Sequence, residues 1–141
     1  MHGRKSRKDR MDMDCRFVSF EENSGAPYSD LVVVEDQFLF LSGLVSEDLE
    51  TGELVTGSIT EETRRVFENL AGILARYGSD MEHVVRVEVL LRDFSQRDQM
   101  NEEYVRHFTP GRMPSRLCFG GVDLADGCKI EVMVTAVKKS R

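Results

Sequence analysis

Residues 58–78 read SITEETRRVFENLAGILARYG, and their spacing predicts the clearest helix of the chain. Ser58 followed by Glu61 has the form of a capping box, which satisfies the free amides of a first helical turn. Val66, Phe67, Leu70, Ile73, Leu74 and Tyr77 recur at helical period, and Gly78 offers a left-handed stop. Glu62, Arg65, Glu68 and Arg76 are assigned to a polar face. A helix with one apolar stripe has to lie on something, and its neighbours read as strands.

Upstream, residues 16–20 are short and β-prone, and residues 21–27 form a loop of acidic, small and turn-forming residues. Residues 31–34 and 38–42 are strands joined by the turn Glu35-Asp36-Gln37, and their near-continuous apolar runs predict burial on both faces. Gly43 ends the second of them, where a bend or a close approach leaves no room for a side chain. Residues 46–57 are a loop, with Gly52 suited to positive φ. Downstream, Val85, Val87, Val89 and Leu91 alternate with Arg86, Glu88 and Leu90 as a strand. Ser95 with Asp98 opens a second helix whose stripe runs Met100, Tyr104, Val105, Phe108 and which ends at Pro110-Gly111. Residues 116–122 and 129–137 are the last strands, separated by the turn signal Asp126-Gly127. In the last strand, Ile130, Val132, Val134 and Ala136 share a face. The order β-β-β-α-β-α-β-β predicts an α+β domain, one sheet with two helices on one face. The other face of so apolar a sheet needs cover, so a homo-oligomer is expected.

At 141 residues the chain is one domain, with 40% hydrophobic and 31% charged residues. No apolar run approaches the roughly 20 residues that span a bilayer, and no apolar secretory core follows the N-terminus, so a cytoplasmic protein without a membrane partner is expected. Cys15, Cys118 and Cys128 are odd in number and lack metal-ligand spacing, which fits reduced thiols and no metal site. Residues 1–10 carry +4, which leaves −10 on residues 11–141 for the total of −6. Residues 1–14 are read as a disordered basic tail and residues 15–141 as the domain. An acidic body makes nucleic acid an unlikely partner, because phosphate binding needs basic clusters.

Familiar catalytic signatures are missing. There is no P-loop, no dinucleotide glycine fingerprint and no GxSxG elbow. His2, His83 and His107 are scattered, the latter two read as surface residues, with His107 near a helix C-terminus. What remains is carboxylate recognition and proton transfer. Arg116 offers a planar fork for two parallel hydrogen bonds to a carboxylate, and Cys118, two residues on, shares its face. Glu131 stands between apolar neighbours on the last strand, where it could move a proton. The same residues also fit a plain reading, with Cys118 as a small core hydrophobe and Glu131 on a solvated face.

Several stretches in order resemble the imine/enamine deaminases of the Rid (YjgF) family across residues 17–137. They are Ala26-Pro27-Tyr28-Ser29, Phe40-Leu41-Ser42-Gly43, DLETGELV at 48–55, Glu62-Thr63-Arg64, Phe67-Glu68-Asn69-Leu70, Met100-Asn101-Glu102-Glu103-Tyr104, Pro114-Ser115-Arg116 and Ile130-Glu131-Val132. The resemblance implies a chorismate-mutase-like fold, one mixed sheet with two helices, assembled as a homotrimer with sites in clefts between subunits. It implies a cofactor-free hydrolase converting 2-imino or enamine acids to 2-oxo acids and ammonia. Arg116 would hold the substrate carboxylate, Glu131 would activate water, and Cys118 would line the site. Tyr28, Ser42, Gly43 and Asn101 would complete the pocket. Leu44, Asp30 and Leu117 depart from the family pattern, Leu44 making a pocket wall more apolar. Alternatives on the same scaffold are a pathway-specific hydrolase of an aminoacrylate- or aminomuconate-like enamine, and a non-enzymatic small-molecule-binding or interaction protein.

Overall fold

The structure is a computed structural model and describes residues 12–140. Its strands are β1 (Cys15–Val18), β2 (Leu31–Val34), β3 (Phe38–Leu41), β4 (Leu44–Val45), β5 (Val84–Leu91), β6 (Ser115–Phe119) and β7 (Ile130–Val137). Helix α1 (Ile59–Arg76) lies between β4 and β5, and α2 (Arg97–Tyr104) between β5 and β6. The sheet runs β1-β2-β3-β7-β5-β6, with β4 also on β7. All pairs are antiparallel except β5–β6, so the sheet is mixed, as expected. Most of the expected basic tail, residues 1–11, lies outside the described residues, while Asp14 already bonds Glu35 through its backbone.

The core forms between one sheet face and the two helices. Leu39, Val87, Val89, Val132 and Ala136 from the sheet meet Val66, Phe67, Leu70 and Leu74 from α1 and Met100 from α2, all fully buried. Each of the larger of these side chains contributes about 1.5–3 kcal/mol by leaving water. Phe67 anchors the helix pair, with its ring edge-on to Tyr104 at 5.3 Å. Glu103 adds a polar tie, accepting from Arg64 at 2.9 Å and lying 2.7 Å from His107 Nε2. Burial alone would raise the Glu103 carboxyl, but Arg64 and His107 outweigh it and hold it below its ordinary value. His107 is thus packed between Glu103 and Phe67 and is not a surface residue, while His83 lies 2.6 Å from Asp80.

Several expectations change with the tertiary structure. Ser58 does accept from the Glu61 amide, but the returning carboxylate belongs to Glu62, which accepts from Gly57. Glu62 is not on the polar face: it is 1% exposed, because four-residue spacing to Val66 puts it on the buried stripe. The second helix is opened by Asp93, which accepts from the Ser95 amide and hydroxyl ahead of a 3-10 turn. Val105 falls off its stripe and is 52% exposed, since α2 ends at Tyr104 and the chain tightens into another 3-10 turn. A register shift between Val84 and Arg86 turns Val85 outward and Val84 inward. Strand β6 stops at Phe119, because Gly120 is pressed against Phe94 with no room for a Cβ.

Strands β2 and β3 are buried on one face only. Leu31, Val33, Leu39 and Leu41 point at the helices, while Phe38 and Phe40 point away. Phe17, Met133, Leu117 and Phe119 join them, so the sheet's open face is broad and apolar. Among the described residues no helix is long and apolar enough to cross a membrane.

Candidate functional site

The candidate residues sort onto the two faces of the sheet. Registers decide this, since paired residues in adjacent strands point the same way. Arg116 pairs with Val87 and Cys118 with Val89, both core residues, so Arg116 and Cys118 look toward the helix layer at the β6 edge. Glu131 pairs with Leu90 and Val45, opposite in parity to the buried Val132, so it looks out of the open face.

On the helix side, α2 receives the arginine. Asn101 and Tyr104, three residues apart, share one face of the helix. Arg116 Nη1 donates to Asn101 Oδ1 at 2.7 Å, and the guanidinium carbon lies 4.7 Å from the Tyr104 ring centre. A neutral amide and a ring face hold the fork flat without neutralising it. No carboxylate pairs with Arg116 among the described residues. Burial pushes the Tyr104 hydroxyl up to about 12, against the pull of Arg116. Burial likewise raises the Cys118 thiol, against Arg116 and Arg97, and the side chain packs partly buried against the core. Beside the guanidinium opens a cavity of about 330 Å³, lined by Asn101, Tyr104, Val105, Met113, Pro114 and Arg116. A second hollow of about 210 Å³ at the start of α1, among Glu61, Arg64, Arg65 and Glu68, contains none of the candidate residues.

On the open face, the break between β3 and β4 meets β7. Gly43 lies directly over the Glu131 carboxylate, and a Cβ there would strike Oε2 and stand 3.0 Å from Cδ. Ser42 donates its amide to Asp30 O and its hydroxyl to Ser29 O at 2.6 Å, which ties the segment carrying Tyr28 to the same corner. Tyr28 is 60% exposed there. The Glu131 carboxylate makes no hydrogen bond or ion pair with any described residue. Tyr28, Ser42, Gly43 and Glu131 thus form one group and Asn101, Arg116 and Cys118 another; a single chain does not join them.

The departures from the resemblance fall in different places. Leu44 is not a pocket wall: it is 8% exposed in the core, paired with Val132. Asp30 spends its carboxylate on the Phe20 amide at 2.7 Å. Leu117 is on the open face, with Glu131. Tyr104, read only as core, also carries the arginine; its spacing from Asn101 was the available signal.

One mixed sheet backed by two helices, with a β3–β4 break set against β7, defines a YjgF-type α+β protein. The chain belongs to the family described as Endoribonuclease L-PSP, whose model matches residues 21–138. It is 33% identical over 125 residues to a 2-iminobutanoate/2-iminopropanoate deaminase of Homo sapiens, covering 87% of this chain and 90% of the relative. A RutC family protein of Pyrococcus abyssi is 37% identical over 113 residues, covering 80% and 87%. Among solved structures, a YjgF family member from Neisseria meningitidis superposes with a TM-score of 0.76 at 30% identity, over 92% of this chain and 98% of that one. RidA from an Antarctic Psychrobacter gives 0.73 at 27% identity, over 85% and 93%.

Proposed function

We propose that this protein is a cytoplasmic, cofactor-independent deaminase that hydrolyses 2-imino and enamine acids to 2-oxo acids and ammonia. The observation that carries the reading is Arg116: a guanidinium held by Asn101 and Tyr104, beside a cavity, with no carboxylate among the described residues to neutralise it. Arg116 grips the substrate carboxylate. Glu131 takes a proton from water as the oxygen attacks the C=N carbon and passes it to the nitrogen, giving a carbinolamine. The hydroxyl proton then follows the same route to nitrogen as the C=O bond forms and the C–N bond breaks. Water supplies the oxygen of the product, and ammonia leaves with the hydrogens. The imine carbon is already electrophilic, so positioning and proton transfer suffice. The relatives named as deaminases support this substrate class. The test is the decay of 2-iminobutanoate, with ammonia release, in the presence of the purified protein. An unchanged decay rate overturns the reading, and binding of a 2-oxo acid without ammonia release replaces it with a binding protein.

The two groups of residues meet only if a second copy brings its open face to the first copy's Arg116 edge. We infer a homotrimer with sites between subunits, supported by the apolar open face of Phe40, Met133 and Phe119. Met133→Glu is expected to convert the assembly to monomers in sedimentation velocity, with activity lost and helical circular dichroism kept. A charged variant that stays assembled rules this face out as the interface.

Gly43→Ala is expected to keep the fold and lower kcat about 10–100-fold, because the added methyl occupies the place of the Glu131 carboxylate. Steady-state kinetics beside a melting curve checks this; full activity would mean that Glu131 is free to work elsewhere.

A further inference from the structure

We propose that Glu62 and Arg92 are positioning residues for Glu131, gripping from both sides the peptide unit that starts β7. For its catalytic consequence the inference rests on the deaminase reading above. The peptide joining Cys128 to Lys129 precedes β7, and Glu131 follows two residues later. Its carbonyl oxygen accepts from Arg92 Nε at 2.9 Å, and its amide donates to Glu62 Oε1 at 2.9 Å. One peptide unit is therefore held at one end by a cation from just beyond β5 and at the other by an anion from α1.

Both side chains do more than touch this peptide. Arg92 also donates through Nη2 to the Leu124 carbonyl, and its own amide donates to Lys129 O at 3.1 Å. Glu62 accepts the Gly57 amide at 3.2 Å and the Lys129 ammonium at 3.3 Å through Oε2. The residues just upstream of the clamp form a turn with positive φ at Asp126 and Gly127, so the β5–β7 ladder ends at the Arg92–Lys129 backbone bond and side chains hold the peptide before it. Burying a carboxylate is costly, and here the cost is offset by three donors, two of them backbone amides that an apolar residue at 62 would leave unpaired. The clamp also sits close to the carboxylate it serves. The buried Cys128 thiol is raised first by burial and then by the charges of both Glu131 and Glu62. Across β7, the Glu131 carboxylate fits against Gly43 without space for a methyl, so a small slide of β7 changes where it points.

The test uses the assembled protein with Glu62→Met, which keeps the length and removes the acceptor, and Glu62→Gln, whose amide oxygen can still take the Lys129 N–H. Glu62→Met is expected to lower kcat for 2-iminobutanoate about 10–100-fold per folded site. Its KM should be unchanged, since the carboxylate clamp is on β6. Amide exchange across residues 128–132 should be about tenfold faster. Glu62→Gln keeps the Lys129 N–H bond but loses the two donors that Oε2 accepts, so it should bring kcat and exchange part of the way back, to within about tenfold of wild type. Unchanged exchange in Glu62→Met overturns the proposal, as does faster exchange with unchanged kcat, or a loss confined to thermal stability. A wild type without turnover sinks the deaminase reading instead, and the exchange rates then decide alone whether the clamp holds β7. Should Glu62→Met fail to fold, Arg92→Lys carries the same test, because lysine cannot reach both carbonyls that the fork holds.

Discussion

Replacing Arg116 with alanine is expected to lower kcat/KM for 2-iminobutanoate at least about a thousandfold, equivalent to about 4 kcal/mol of transition-state stabilisation. Two losses combine. The substrate carboxylate loses its only proposed cation, and the C=N carbon loses the orientation that brings it under water. Asn101 and Tyr104 hold the guanidinium in one plane before substrate arrives, so little ordering remains to be done on binding. Arg116→Lys is expected to recover only part of the loss, about 10–100-fold below wild type, because an ammonium offers a point charge and not a fork. Arg116 is exposed at a sheet edge, so folding should be untouched in both variants. Imine decay followed beside circular dichroism checks it, and an alanine variant with more than a tenth of wild-type activity would place the carboxylate clamp elsewhere.

Glu131→Gln is expected to cut kcat by about 10²–10⁴ with KM nearly unchanged, because the amide keeps the shape and cannot take a proton. The stronger form of this prediction mixes the two defects. Arg116→Ala and Glu131→Gln oligomers, each nearly inactive, are dissociated, combined in equal amounts and reassembled. Arg116 and Glu131 leave opposite faces of the sheet, so the proposed site takes the arginine of one subunit and the glutamate of its neighbour. Random mixing then restores both groups in about one quarter of the sites, and activity should return to about that fraction. No recovery at all, from a mixture shown to have exchanged subunits, would mean that each chain carries a whole site.

Much of the fold was legible because burial leaves a periodic trace. The stripe from Val66 to Tyr77 and the alternation of Ile130, Val132, Val134 and Ala136 each predict an element and a facing, and both facings hold in the core. Arg116 and Glu131 stood out because each is a charge in an apolar neighbourhood. Residue type and spacing disagree at a few positions, and there spacing or chain path wins. The charge of Glu62 suits a polar face, but its interval to Val66 belongs to the buried stripe. Val105 is apolar but follows the end of the helix. Leu44 follows Ser42-Gly43, yet the chain turns it into the core as β4.

By itself the sequence determined the main helices and strands and which side chains are candidates for the chemistry, because periodicity and residue type are local properties. Only the tertiary structure decided that Arg116 and Glu131 look out from opposite faces, and that Glu62 and Arg92 close on one peptide. Those outcomes depend on strand register, on the irregularity at Val85 and on contacts between residues dozens of positions apart. A shift of one residue in register reverses a side chain's facing, and no local pattern records that shift.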